Sequence, residues 1–268
     1  MTLEARGFLS AHVERQKEDL RRAHHERFDL ADRVSDLAQR LLPHVATVTR
    51  SRQNLFACAF FVRGVQILQG AIIMAERGMV TEARILLRSA LETLFFLGAT
   101  LKQDEFGERM GRDHIARMEK LVNAHARLSP NREPSDDNSE LEEALDMMRG
   151  AAANAQSLGI FDVAQRAEMT ATYESFYRGL STDSAHPTVL SLSTIWQRDS
   201  NGRPTGVLWG PEVRDVSDTL ETLVFVGILL IDEINLLIGN KDVEATSLIV
   251  SRRYLELRHI DPAENSNA

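Results

Sequence analysis

The chain holds 268 residues, 43% hydrophobic and 26% charged, with 15 glycines, 7 prolines and 6% aromatics. This composition excludes collagen-like, disordered and disulfide-framework classes and disfavours a turn-rich all-β protein. The formal net charge of −8 at pH 7 leaves no overall basic footprint, so duplex DNA is not an expected partner.

Residues 3–42 predict one long amphipathic helix. Apolar side chains recur at heptad spacing through Val13, Leu20, Val34 and Leu41, and through Leu9, Ala23, Leu30 and Leu37, interrupted by Gln16 and Arg27. Glu4, Arg6 and Glu14 leave no apolar stretch for a signal peptide there. Pro43 ends this helix or opens the next, because proline suits a first turn and not a helix interior. His44 to Arg77 predicts a second helix, apolar on most sides from Leu55 to Met74, with Gly78 as its stop. The lone cysteine, Cys58, sits between Phe56 and Phe60 and predicts a buried core thiol without a disulfide.

Thr81 predicts the cap of a third helix running to about Leu101, and Asp104 to Leu128 a fourth. Residues 129–138 are turn-rich. Ser139 with Glu142, and Asp162 with Gln165, have capping-box spacing for a fifth helix to about Leu158 and a sixth to about Gly179. Pro187 suits the start of a short helix. Asn201-Gly202 between β-formers predicts a hairpin over 194–209. A long helix from Pro211 to Gly239 and a last one from Asp242 to about Arg258 follow, with residues 259–268 frayed. The longest apolar run, Leu223 to Ile231, falls far below the roughly 18 residues of a membrane span.

The expected fold is therefore an all-α bundle of seven to eight helices with one small β-hairpin. No strand–helix alternation offers a parallel sheet. Residues 1–43 form a long helix that packs on the bundle or on a partner, and residues 44–258 form a single domain. An uncovered heptad seam would be unstable in water, so it is expected to pack on the bundle or on a second copy, with a homodimer favoured. The expected location is the cytoplasm, with no membrane association.

Local motifs for phosphate loops, dinucleotide binding, zinc peptidases and cysteine pairs are missing, so neither metal nor cofactor is expected. Two segments carry chemistry. Arg84, Arg88 and Glu92 are spaced by four on an otherwise apolar helix and form a narrow polar stripe. That stripe is either a solvated edge with an ordinary ion pair or one wall of a cleft, where two arginines hold a phosphate or carboxylate. The second segment, Tyr173 to Pro187, crowds Tyr177, Ser181, Asp183 and His186 just beyond a helix end. His186 precedes a proline, which holds its backbone extended, and its ring is suited to general acid–base work. Ser181 and Asp183 serve equally well as helix caps.

Arg-x-x-x-Arg-x-x-x-Glu on an apolar helix, followed about 80 residues later by Tyr-x-x-Leu-Ser-x-x-x-His-Pro, resembles a bacterial helical family classed as domain of unknown function 5677. The resemblance covers roughly residues 50 to 240 and implies that Arg84, Arg88, Glu92, Tyr177, Ser181 and His186 are signature positions. It implies no reaction. That family in turn resembles the HEPN helical bundles, many of them dimeric ribonucleases with an Arg-x(4–6)-His motif. Arg109 and His114 fit that spacing, as do Arg6 with His12 and Arg253 with His259. With 27 arginines and 8 histidines, about two or three such spacings arise by chance.

Two functions follow. In the first, Arg84 and Arg88 bind a phosphate-bearing small molecule or RNA, His186 acts as acid or base, Glu92 with Tyr177 orients them, and Ser181 joins these three as a candidate catalytic residue. In the second, the protein is a non-enzymatic dimeric interaction protein whose polar residues are structural.

Overall fold

The computed structural model describes residues 7–128, 147, 150, 157–183, 189–193, 195–208, 210–211 and 213–259. They form an all-α bundle with one two-stranded antiparallel sheet. After a 3-10 turn at Gly7–Leu9 come α1 (His12–Ala23), α2 (His25–Val48), α3 (Arg52–Ala75), α4 (Val80–Lys102) and α5 (Phe106–Leu128). Helix α6 (Ile160–Arg166) follows, and then α7, built from Thr170–Thr172, a π-helical turn Tyr173–Tyr177 and Arg178–Asp183. The chain closes through α8 (Val189–Ser193), β1 (Trp196–Arg198), β2 (Pro204–Val207), α9 (Val216–Ile238) and α10 (Lys241–His259).

Helix α9 is the central post, packed on α2, α3, α4 and α10, while α3 and α4 form an extensive antiparallel pair. Helix α3 is long and apolar enough to cross a bilayer by length and composition, and half of its most apolar window is buried inside the bundle. Its Ala57, Phe61, Val65, Leu68 and Ala71 belong to the common core. The helices approach most closely at Gly227 of α9, where an added Cβ would lie 2.4 Å from Val34 Cγ1 of α2.

The predicted N-terminal helix is two helices. His24, with φ −118° and ψ 32°, breaks it, and its ring nitrogen Nδ1 lies 3.0 Å from Ser217 Oγ of α9. The break shifts the seam: Val13, Leu20, Leu30, Leu37 and Leu41 are buried on the bundle, whereas Leu9 is 79% exposed. Pro43 neither ends nor opens a helix. It lies inside α2, on an exposed face where water can satisfy the carbonyl that a proline frees. The second predicted helix begins only at Arg52, with Ser51 Oγ accepting from the Asn54 amide at 3.1 Å.

Thr81 lies within α4 rather than capping it, because Met79 is the N-cap residue. The predicted sixth helix is interrupted after Arg166, where Glu168 adopts φ 60°. Helix α9 starts at Val216, five residues past Pro211, and ends as expected on Gly239, at φ 71°. The hairpin falls where Asn201-Gly202 predicted it, pairing Trp196 with Val207. The Ser139/Glu142 capping box, Pro187 and His186 lie outside the described residues.

One buried carboxylate fastens α1 to the bundle. Glu76, 5% exposed at the end of α3, lies 2.9 Å from Lys17 Nζ, 2.9 Å from Arg21 Nε and 2.7 Å from Arg77 Nη1. Arg21 also bonds Asp32 of α2 at 2.9 Å. Burial pushes the Glu76 carboxyl up, but the hydrogen bonds and charges of Lys17 and Arg21 outweigh it and hold the group below its ordinary value. A depressed carboxyl contributes stability that is present above its unfolded value and is lost as pH falls through the folded one. Helix α1 should therefore become protease-sensitive as pH drops below about 4.5. In Glu76→Gln, limited proteolysis should cut α1 at neutral pH as well, and a pattern identical to wild type would contradict this anchoring.

Candidate functional site

Arg84, Arg88 and Glu92 stand on successive turns of α4. Arg88 Nη2 donates to Tyr177 Oη at 3.0 Å and lies 3.1 Å from Glu92 Oε1. Tyr177 Oη donates to the same Glu92 oxygen at 2.8 Å. The Arg88 guanidinium also lies over the Tyr177 ring, 5.3 Å from its centroid. These three residues form a closed triangle on one carboxylate oxygen, while the Arg88 Nε is buried without an acceptor among the described residues.

Tyr177 reaches α4 from the last position of the π-helical turn of α7. Its ring stacks on Tyr173 with centroids 5.0 Å apart, and Phe95 of α4 meets its edge at 6.0 Å. Phe161 of α6 packs edge-on against Tyr173 at 5.1 Å. Tyr173 and Tyr177 stand at the two ends of the π turn, and such turns recur at functional sites. Burial and the Glu92 carboxylate push the Tyr177 phenol up to about 12. At neutral pH it is a neutral donor that aims Glu92 and Arg88, and it is not a base.

Arg84 turns to a different partner. Its Nε donates to Thr219 Oγ1 at 3.2 Å and its Nη1 lies 3.4 Å from Asp215 Oδ2, both at the start of α9. Ser181, partly exposed, lies one turn beyond Tyr177 and outside this hydrogen-bonded set. Arg88, Glu92 and Tyr177 are thus brought together, Arg84 is one turn away with its own acidic partner, and His186 lies outside the described residues. Arg109 and His114 stand on α5, a separate helix.

The arrangement offers guanidinium donors beside an oriented carboxylate whose second oxygen, Oε2, is not in the triangle. Such a pair can hold an oxyanion and accept a neighbouring hydroxyl or amine proton together. Among the described residues no group of three or more His, Cys, Asp or Glu side chains is placed to hold a metal ion.

A second polar cluster escaped the sequence reading. Lys102 Nζ at the end of α4 donates to the Ala167 carbonyl at 2.6 Å and lies 3.4 Å from Glu233 Oε1 and 3.9 Å from Glu168 Oε2. Glu233 Oε2 is buried without a donor among the described residues, and burial pushes the carboxyl up. The available signal was the Asp232-Glu233 pair ending an apolar run in the middle of a long helix. Its role is to tie the kinked Ala167–Met169 turn, and with it α7, to α4 and α9.

No curated protein and no solved structure matches the chain. A family model matches residues 54–203, from within α3 through the hairpin turn, a span that includes Arg84, Arg88, Glu92, Tyr177 and Ser181; the chain belongs to the family of unknown function DUF5677.

Proposed function

We propose that the protein binds a phosphate-bearing ligand of the ribonucleotide class, RNA or a nucleotide, at the Arg84–Arg88–Glu92–Tyr177 cluster. The observation that carries this reading is the Arg88 guanidinium. Its charge is fixed by Glu92 and Tyr177, yet its buried Nε has no acceptor among the described residues. A buried donor left unmade costs about 1–3 kcal/mol, and a phosphate oxygen would satisfy it once a small shift of the 26% exposed side chain opened the Nε. Glu92 Oε2 beside it suits a ribose hydroxyl, which gives preference for RNA over DNA. Arg84 adds a second cation one turn away, and His186 is assigned the proton-transfer role. This reading places the protein in the cytoplasm.

The second reading, a non-enzymatic protein with a structural polar network, draws on one specific observation: Tyr177 is 4% exposed and its hydroxyl is fully engaged by Arg88 and Glu92.

Fluorescence anisotropy with a labelled single-stranded RNA separates the two. The proposal expects saturable binding that weakens with added salt, is poorer for DNA of the same sequence, and is lost in Arg84→Ala with Arg88→Ala. Absence of binding to RNA and to free nucleotides up to millimolar ligand would leave the structural reading.

A further inference from the structure

The aromatic side chains beside Arg88 continue outward from it in an unbroken series of ring contacts. The Tyr177 ring, which the Arg88 guanidinium overlies, stacks on Tyr173 at 5.0 Å, and Tyr173 meets Phe161 of α6 at 5.1 Å. Exposure rises along the same path. Tyr177 is buried, Tyr173 is half-buried and Phe161 is 37% exposed, the most open aromatic side chain among the described residues. The inner rings are held in place by Phe95 of α4, which packs on Tyr177 at 6.0 Å and on Tyr173 at 6.2 Å.

Packing accounts for the inner rings and not for the outer one. Tyr177 belongs to the core and Tyr173 packs against it, whereas Phe161 does neither. Ile160, Val163 and Ala164 already supply the core-facing side of α6. Single exposed apolar side chains are ordinary. What sets Phe161 apart is its place, at the open end of a series that starts on an arginine whose buried Nε has no acceptor among the described residues.

The charges beside the outer rings select what lies on them. Asp162 follows Phe161 and is exposed. Glu174 follows Tyr173, with its carboxylate 3.1 Å from Arg178. These acids keep a phosphate away from the outer rings and leave it to Arg88 and Arg84. The part of a ligand that suits Phe161 and Tyr173 is therefore flat, aromatic and uncharged.

We infer that Phe161 and Tyr173 form a stacking platform for a nucleobase of the ligand whose phosphate is held at Arg88 and Arg84. This inference rests on the ligand reading above and adds the base to it. Aromatic rings receive any base through its π face, so the platform supplies affinity without sequence choice. Only an unstacked base presents that face, so the ligand is a single strand or a free nucleotide and not a duplex.

Two pairs of probes test the platform on the full chain. The first pair, followed by fluorescence anisotropy, is a labelled single-stranded RNA and a strand of equal length without bases. The second pair, used as competitors, is adenosine monophosphate and ribose 5-phosphate. Wild type should bind the base-free member of at least one pair about tenfold more weakly than its base-bearing partner. A difference in the strands alone assigns the platform to RNA, and a difference in the competitors extends it to the free nucleotide. Phe161→Leu keeps an apolar side chain and loses the π face. It should keep the wild-type circular dichroism, bind base-bearing probes about tenfold more weakly and bind base-free probes as wild type does. Phe161→Trp, which restores an aromatic face, should bind base-bearing probes at least as tightly as wild type. If neither pair separates base-bearing from base-free probes, or if the separation persists undiminished in Phe161→Leu, the platform is overturned while the Arg88 site stands. If no probe binds at all, both are overturned.

Discussion

Gly227→Ala should lower stability by about 2–3 kcal/mol and the melting temperature by roughly 5–10 °C. Intrinsic propensity points the other way, since alanine in a helix interior is favoured over glycine by about 1 kcal/mol. Packing reverses the sign. The new methyl would lie 2.4 Å from Val34 Cγ1 and 3.3 Å from Leu68 Cδ1, both in the core. Neither atom sits on a flexible exposed side chain that can swing away, so α2 and α9 must separate or Val34 must leave its rotamer. Gly111→Ala in α5 is the control. Nothing lies within 4 Å of its Cβ position, so that substitution should be neutral or slightly stabilising. Combining Gly227→Ala with Val34→Ala should cost less than the two singles added together, because the second change removes the obstructing methyl. Equal melting temperatures for Gly227→Ala and wild type would show that the α2–α9 contact is looser than the structure has it.

Hydrophobic periodicity located the long helices among the described residues, because each buries an apolar face whose spacing is a local property. Boundaries set by tertiary contacts were not legible. The break at His24 has no glycine or proline to announce it; the His24 ring meets Ser217, 193 residues away. Arg27 looked like an interruption of the heptad seam, but it bonds Glu221 of α9 at 2.9 Å and is one of the ties between α2 and the central post. Pro43 looked like a terminus because its local cost is evident in sequence, whereas its exposed placement is not. Gly239 and Asn201-Gly202 were read correctly because a left-handed cap and a tight hairpin impose their residue types locally.

The site divides in the same way. Arg88 and Glu92 are neighbours by helical spacing alone. The approach of Tyr177 depends on the π turn and on the path of α7, neither of which follows from a propensity. Arg84, grouped with Arg88 by spacing, is claimed by Asp215 and Thr219 instead.

Arg88→Lys separates a binding role from a structural one. Lysine keeps a positive charge near Glu92, so the ion pair and most of the fold's electrostatics survive. It loses the planar fork that reaches Tyr177 and an incoming oxyanion at once. If Arg88 binds ligand, Arg88→Lys should melt within a few degrees of wild type and bind RNA about tenfold or more weakly. Arg88→Ala should add a moderate stability loss of about 1–2 kcal/mol, below the 3–5 kcal/mol of a fully buried pair. The Arg88 and Glu92 side chains are 26% and 35% exposed, so water compensates part of the break. His186→Ala should leave RNA affinity near wild type and remove any turnover, since the imidazole is assigned to proton transfer rather than to holding the phosphate. The structural reading reverses this order, with Arg88→Lys losing as much stability as Arg88→Ala because the Tyr177–Glu92 network needs the guanidinium fork, and RNA affinity indifferent to every one of these substitutions. Melting curves and anisotropy titrations of Arg88→Lys, Arg88→Ala and His186→Ala side by side decide between them. An Arg88→Lys protein that binds RNA as tightly as wild type would remove the guanidinium, and with it the ligand site, from the account.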